Sequence, residues 1–387
     1  MNRVPKLRFK EFSGDWEEKK LGDIADCLDN KRKPLNSAER DKIKGEIPYY
    51  GANGIQGYIN DFIFDEELIL LAEDGGNFDD FLNKPIAQYI YGKSWINNHA
   101  HILKGKKGIF TKFLFYSLVH KDIRSFINGT SRSKLNKSDM LNININLSYL
   151  KEQEKTADFL SSIEKKISNT EKKLDLFKDY KKGIMQKIFN QELRFKDSEG
   201  NDYPEWEEKR LGDVFSFKQG YQIPFKEQIK IKEKGYVRYL YISDFFSDKN
   251  LLYVKDDGKE KITETDITVA NTGNTAGSFY RGKSGILSNN MFNIQNDEKV
   301  VTNDFLFQFL GTSLYSNQLK TFFNSSGQPH LGHKNMSMII INYPVSFEEQ
   351  QKIANFLSSI DKKNDNLATE LENLKEFKKG LLQQMFI

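Results

Sequence analysis

Two long stretches of this chain place apolar side chains at alternating steps of three and four. The first series is Leu160, Ile163, Ile167, Thr170, Leu174, Phe177, Lys181, Ile184 and Ile188. The second, at a constant offset, is Leu357, Ile360, Asn364, Leu367, Leu371, Leu374, Lys378, Leu381 and Met385. This spacing draws one seam along an α-helix. Charged residues such as Glu164-Lys165-Lys166 and Glu171-Lys172-Lys173 fill the other faces. Each run is about 40 residues long, enough for a helix of about 60 Å. A helix with an apolar seam and a wet back needs a partner, and its own repeat is the nearest candidate. The pattern therefore predicts two long helices packed as an antiparallel coiled coil about a pseudo-twofold axis. The helix–helix interface is expected at Leu160, Ile163, Ile167, Leu174 and Phe177 against Leu357, Ile360, Leu367, Leu371 and Leu374. A lysine recurs at the same seam position in both.

The repeat extends beyond the helices. Trp16-Glu17-Glu18-Lys19-Lys20-Leu21-Gly22-Asp23-Ile24 returns as Trp206-Glu207-Glu208-Lys209-Arg210-Leu211-Gly212-Asp213-Val214, and Leu7-Arg8-Phe9-Lys10 returns as Leu193-Arg194-Phe195-Lys196. The N-terminal segment is thus expected near the end of the second helix. Between the matched segments lie two inserts that resemble each other only faintly. Both read as short aromatic and β-branched runs broken by Gly, Asn and Asp, such as Gln88-Tyr89-Ile90-Tyr91 and Tyr239-Leu240-Tyr241-Ile242. Each also has a short helical apolar segment, Phe113 to Leu118 and Phe305 to Leu310. The expected fold class is α+β: two mixed α/β domains, residues 1–148 and 191–345, separated by spacer helices at 149–190 and 346–387.

Composition narrows the function. A hydrophobic content of 38% with 13% aromatics is globular, and no run approaches the roughly 18 apolar residues of a membrane span. No signal peptide is evident, so a cytoplasmic protein is expected. The single cysteine, Cys27, excludes an internal disulfide and a multi-cysteine zinc site. A net charge of +4 is too small to make the whole surface a polyanion trap, so any nucleic-acid contact must come from local patches or a partner.

The insert loops carry side chains suited to bases and phosphates: Tyr49, Tyr50, Asn53, Asn97, Asn98, Ser131, Arg132 and Lys134 in the first, and Lys218, Tyr221, Gln222, Asn271, Asn274, Asn289, Asn290 and Gln328 in the second. Arg and Lys can pair with guanine, and Asn and Gln with adenine, each good bidentate contact giving about 1–3 kcal/mol of discrimination. Gly277-Ser278-Phe279-Tyr280-Arg281-Gly282-Lys283-Ser284 spells a P-loop, but Gly285 and Ser288-Asn289-Asn290 follow where a helix would have to start, so it is read as a turn. His99 with His101, and His330 with His333, lack further ligands at zinc spacing and read as hydrogen-bonding loop residues; no metal is expected. No nucleophile elbow or defensible nuclease centre occurs, so no catalytic residue is expected.

The framework segments Leu7 to Lys10, Trp16 to Asp23, their repeats, and the two helices containing Phe159-Leu160-Ser161-Ser162-Ile163 and Phe356-Leu357-Ser358-Ser359-Ile360 resemble the specificity (S) subunits of type I restriction-modification systems. So do Ile47 to Gly54 with Ala72-Glu73-Asp74-Gly75-Gly76, and Gly129-Thr130 to Lys137. The second copy of that last motif departs from the pattern, since Ser325 to His333 lacks the Asn-Lys pair. The resemblance covers essentially the full chain. It implies that each insert is a target recognition domain reading one half of a bipartite, asymmetric, gapped site in double-stranded DNA, with the helices setting the gap. It also implies docking of two modification subunits, which bring S-adenosylmethionine and methylate adenine N6, and in some systems restriction subunits that use ATP and Mg. This chain would hold no cofactor and do no chemistry, in keeping with the lack of an Asn-Pro-Pro-Tyr-like motif. The alternative is a pseudo-symmetric protein-binding adaptor without DNA specificity.

Overall fold

A computed structural model describes residues 4–129, 133–323 and 329–386. The chain packs as two compact units, Met1–Glu171 with Thr369–Ile387, and Lys172–Ala368. Two long helices, Leu150–Phe189 and Phe347–Met385, each contribute to both units. No described helix is long and apolar enough to cross a membrane.

Unit 1 is built on a frame that the repeated segments supply. Strand Glu17–Lys20 pairs antiparallel with Asn144–Leu147, the strand that feeds the long helix. Just before it, Arg8 reaches the helix start: its Nε and Nη2 donate to Glu152 at 2.7 and 2.8 Å, and Trp16 Nε1 donates to the same carboxylate at 3.3 Å. Glu152 is only 1% exposed, so this charge is held by pairing rather than by water. Its neighbour Gln153 accepts from Phe110 N–H and donates to the Ser148 carbonyl, tying the helix to the insert. The Leu-Gly-Asp turn has a steric reason for its glycine, because a Cβ at Gly22 would lie 3.2 Å from Leu141 Cβ on the short helix Lys137–Leu141.

The insert of unit 1 adds two four-stranded sheets. In the first, Leu68–Ala72 lies between Ala100–Gly105 and Ala87–Ile90, with Ala25–Cys27 at one edge and all pairs antiparallel. Leu68–Ala72 is buried at every position, as an unbroken apolar run requires. In the second sheet, Lys44–Gly51 pairs antiparallel with Gly54–Ile59 and parallel with Lys93–Ile96. Helix Thr111–Leu118 covers the first sheet and shares one core with Trp16, Leu160, Leu381, Leu382 and Met385. The N-terminal segment lies where the order of the repeat predicts: Leu7 N–H donates to the Gln384 carbonyl, and Phe386 packs against Trp16 and Phe113.

Unit 2 repeats the frame with substitutions. Glu207–Arg210 pairs with Ile340–Tyr343 in the same register, and Arg194 holds Glu349, which is 0% exposed, through Nε and Nη2 at 3.2 and 3.0 Å. Gln350 accepts from Thr302 N–H and donates to Val300 and Pro344 carbonyls. A Cβ at Gly212 would fall 2.6 Å from Ser337 Cβ. Leu193 N–H donates to the Lys187 carbonyl, the counterpart of Leu7 and Gln384. Trp206 departs from Trp16, since its buried indole Nε1 has no hydrogen-bond partner among the described residues. The insert again has a four-stranded antiparallel sheet, with Ile267–Ala270 between Met291–Gln295 and Phe279–Tyr280, and Ser216–Gln219 at the edge. The second sheet has three strands rather than four, Tyr236–Leu240 lying between Leu252–Lys255 and Ile286–Leu287.

The helical seam is the buried side in each unit. In unit 1, Leu160 is fully buried, Ile163 packs on the same core, and Ile167, Leu371 and Leu374 are half-buried. Ion pairs run between the two helices at Glu164 with Lys378, Glu171 with Lys375 and Lys166 with Glu370. In unit 2, Ile188 packs with Ile353, Leu357 and Ile360, with Phe177 against the same core, and Leu174 and Leu367 are buried. The seam lysines are explained by their partners. Lys378 Nζ donates to Glu164 at 2.6 Å and Lys181 Nζ to Asp361 at 2.5 Å. Each acid also meets the insert's short helix, Glu164 through Tyr116 Oη at 2.7 Å and Asp361 through Gln308 Nε2 at 3.3 Å.

Candidate nucleic-acid interface

The central strand of each first sheet ends in a tight turn, and the candidate residues gather around that end. In unit 1, Leu68–Ala72 runs into Glu73-Asp74-Gly75, where Gly75 has φ of 64°. The left-handed backbone there suits glycine. The exposed Asn53 donates from Nδ2 to the Gly75 carbonyl at 2.8 Å, and Asn97 N–H donates to the Tyr50 carbonyl. Asn98 is exposed, and its carbonyl accepts from Arg32. Lys134 bridges to Asp74 through the backbone and pairs with Glu73 at 3.2 Å. Half-buried Tyr50 lies near Tyr58 and Tyr91, and burial, followed by those neighbours, raises its phenol pKa above the usual value.

Three of the proposed readers do not present their side chains. Tyr49 points into the core beside Ile59 and Trp95, at 1% exposure; its hydroxyl accepts from Leu35 N–H and donates to the Leu35 carbonyl. Strand alternation turns Tyr49 inward. Asn97, 2% exposed, spends its amide on Gln56 and His99 N–H. Asn271, 5% exposed, donates to the Asn289 carbonyl. Ser131, Arg132 and Gln328 lie outside the described residues.

In unit 2, the equivalent sheet end gathers Asn271, the exposed Asn274 on the turn Gly273–Thr275, and the exposed pair Asn289 and Asn290. Asn290 receives Asn271 N–H on its carbonyl, and Gln219 donates to the Asn289 carbonyl. Half-buried Tyr221 bridges to Ser288, and its hydroxyl accepts from Glu260 N–H. Lys218 and Gln222 are exposed nearby in sequence.

A charged network whose pairings were not legible in the sequence underlies the unit 1 end. Arg32 Nη1 lies 2.5 Å from Glu73 and donates to the Ala100 carbonyl; His101 Nδ1 lies 2.6 Å from Asp29, and its Nε2 2.9 Å from the Leu135 carbonyl. Burial works to raise the Asp29 carboxyl, but His101, the Ile102 N–H and Arg32 outweigh it, and its pKa lies below the usual value. Glu73 behaves alike, with burial opposed by Arg32, His101 and Lys134. Asp29, Glu73 and His101 could together offer three ligand atoms to a cation. Arg32 and Lys134 already supply the positive charge there. The sequence marks two of its members, His101 as a hydrogen-bonding residue and Glu73 within Ala72-Glu73-Asp74-Gly75-Gly76, but not their partners Asp29 and Arg32, and His101 lies on the strand Ala100–Gly105 rather than in a loop. In unit 2 the corresponding contacts are neutral, with His333 Nε2 at 3.1 Å from Gln219 Oε1.

Exposed apolar side chains were also missed: Phe225 is 84% exposed, Ile231 78% and Phe246 73%, amid Lys226, Lys230 and Lys232 in the first two cases. The P-loop spelling folds as a turn at Gly277, a short strand and an irregular stretch, not as a loop opening a helix. Phe279–Tyr280 is a strand, Lys283 pairs with Asp248 at 2.9 Å, and the next element is strand Ile286–Leu287.

Comparison with known proteins adds the family. A family model described as the type I restriction modification DNA specificity domain matches residues 13–176 and 203–376. A chain from Haemophilus influenzae named as a type I restriction enzyme specificity subunit is 35% identical over 147 residues, which are 38% of this chain and 37% of that one. The type I restriction enzyme MjaVIII specificity subunit of Methanocaldococcus jannaschii is 34% identical over 210 residues, 52% of this chain and 47% of that one. The matched stretches span less than half the length of both relatives. The crystal structure of the S subunit of a type I restriction-modification system from M. genitalium has a TM-score of 0.69 to this chain, covers 99% of each and is 18% identical, a likeness of fold.

Proposed function

The chain belongs to the type I restriction-modification DNA specificity family, and from that premise we propose that it reads a bipartite, gapped DNA site, one half with each insert. Residues 1–148 and 191–345 act as target recognition domains, and 149–190 and 346–387 as spacer helices. The observation that carries this reading is the repeated frame. Arg8 with Glu152 and Arg194 with Glu349 anchor each helix start alike, while the sheet ends mounted on those frames differ in chemistry. Different ends predict different half-sites, and so an asymmetric target.

The reading further takes the helices as an antiparallel coiled coil that fixes the gap. The ion pairs in unit 1 support it: as the first helix advances from Glu164 to Glu171, its partner on the second retreats from Lys378 to Lys375. Two modification subunits bring S-adenosylmethionine and methylate adenine N6 in each half, and restriction subunits, where present, use ATP and Mg. This chain contributes selection rather than chemistry, in the cytoplasm where the DNA is. In unit 1 the outward candidates are Tyr50, Asn53, Asn98 and Lys134; in unit 2 they are Lys218, Tyr221, Gln222, Asn274, Asn289 and Asn290.

Fluorescence anisotropy of duplex DNA with the chain and its cognate modification subunits tests this. Binding should select one gapped sequence over a duplex with the halves moved by one base pair. Indifference to DNA sequence would favour a protein adaptor instead.

A further inference from the structure

The two inserts differ in what one shared loop presents. In each, a loop runs from the edge strand of the first sheet to a central strand of the second, and carries a proline followed by a large apolar residue. In unit 1, between Ala25–Cys27 and Lys44–Gly51, Leu35 follows Pro34 and packs on Tyr49, Ile59 and Trp95. In unit 2, between Ser216–Gln219 and Tyr236–Leu240, Phe225 follows Pro224 and stands 84% exposed. We propose that Phe225 is a wedge that enters a base step of the half-site read by unit 2 and kinks the DNA there, so that this half is selected partly by how easily it deforms.

Single exposed apolar side chains are common on proteins, but this one is held firm and set among lysines. Upstream, Tyr221 and Ile223 pack on Tyr239, Val254 and Ile286. Phe225–Glu227 is a single 3-10 turn, closed by Glu227 N–H donating to the Pro224 carbonyl. Downstream, Gln228 donates to the Ile223 carbonyl at 2.8 Å and accepts from Tyr241 Oη at 3.1 Å, and Ile229 bridges to Tyr253. The backbone under the ring is thus ordered before any contact, which spares that cost on binding. Ile231, 78% exposed, follows in the same loop. Lys226, Lys230, Lys232 and Lys234 are exposed, outnumber Glu227 and Glu233, and form no ion pair among the described residues. Duplex DNA matches this pattern. It is an apolar stack of bases between two rows of phosphates, in which an inserted Phe parts one step while flanking lysines meet the phosphates. The loop leaves the sheet end where Tyr221 bridges to Ser288, next in sequence to Asn289 and Asn290. The intervening chain keeps Phe225 within about 14 Å of Tyr221. Pyrimidine–purine steps unstack most easily, so the wedge favours one at its point of entry without reading its base edges.

The inference rests on the proposed function, and the test separates the two. The full-length chain with its cognate modification subunits is bound to end-labelled duplexes carrying the gapped site defined by the host methylome. Energy transfer between the ends reads bending, and 2-aminopurine, placed in turn at positions other than the methylated adenine, reads unstacking. The wild-type complex should bend the duplex by about 20–90° and unstack one step in the half read by unit 2. Phe225→Ala should abolish that unstacking, reduce the bend and lower affinity about tenfold, while Phe225→Leu keeps most of each. A mismatch opened at the same step should restore the affinity of Phe225→Ala. The same unstacking and bend with Phe225→Ala, the site still being selected, would overturn the wedge and leave the functional reading intact. An affinity loss that the mismatch does not restore would make Phe225 a simple contact and overturn the wedge as well. Loss of bound modification subunits with the DNA distortion unaltered would assign the patch to a protein and also overturn it. A wild-type complex that binds the site no better than a shuffled duplex would overturn the functional reading and the wedge with it.

Discussion

The Arg8–Glu152 contact offers a quantitative test of the frame. Glu152→Ala removes a carboxylate that is 1% exposed and accepts from Arg8 at 2.7 and 2.8 Å and from Trp16 at 3.3 Å. Deleting one partner of a buried ion pair costs about 3–5 kcal/mol, because the other charge is left uncompensated. Two features place this case at the lower end. Arg8 keeps hydrogen bonds to the Gly14 and Ser13 carbonyls, and Trp206 shows that the frame tolerates an indole without a partner. The expected loss is therefore about 3 kcal/mol in unit 1, or roughly two orders of magnitude in the opening equilibrium. Hydrogen exchange followed by mass spectrometry reads it directly in peptides covering 17–20 and 144–147, with unit 2 peptides as an internal control. The double variant with Arg8→Ala should be less damaging than the sum of the singles by about 1.5–3 kcal/mol. A loss below about 1 kcal/mol, or full additivity, would refute the claim that this pair anchors the helix.

Gly212→Ala should destabilise unit 2 by about 1–3 kcal/mol through overpacking, more than Gly22→Ala destabilises unit 1, because the new Cβ meets Ser337 at 2.6 Å and Leu141 at only 3.2 Å; chemical denaturation of each variant checks the order. The depressed Asp29 carboxyl contributes stability that is complete above its ordinary pKa of 3.8 and is lost as pH falls through its lower folded value. Exchange protection in unit 1 should therefore fall with acid below about that pH, and Asp29→Asn should flatten this part of the profile. Lys218, exposed at the sheet end of unit 2, is expected to meet a phosphate. Lys218→Ala should lower the slope of log affinity against log salt by roughly 0.9, measured by anisotropy from low to moderate salt.

The frame was legible in sequence because it is periodic and stated twice. A seam of steps of three and four fixes which helix face is buried, and the recurrence of Trp16 and Trp206 marks the frame strands Glu17–Lys20 and Glu207–Arg210 that follow them. The lysines on that seam were legible as positions but not as contacts, since their partners lie on the other helix. Glu152 and Glu349 were less visible still: in Glu152-Gln153-Glu154-Lys155 they look like solvated surface charges, and only Arg8 and Arg194, far away in sequence, allow their burial. At the sheet ends, residue type pointed to loops that the fold gathers together but not to side-chain direction. Tyr49 and Tyr50 read alike, yet alternation sends one into the core. Exposed Phe225, Ile231 and Phe246 escaped notice because an apolar residue is read as core unless the fold shows otherwise.

The central claim, that this chain selects a two-part DNA site for methylation, is tested most directly by the methylome of the host with the gene intact and deleted, read by single-molecule sequencing. The account predicts a gapped motif with two different halves and N6-methyladenine on both strands, present only with the gene and lost when the sheet-end residues of either unit are replaced. In a host whose modification subunit is expressed, identical methylomes with and without the gene, or a motif with two identical halves, would contradict it.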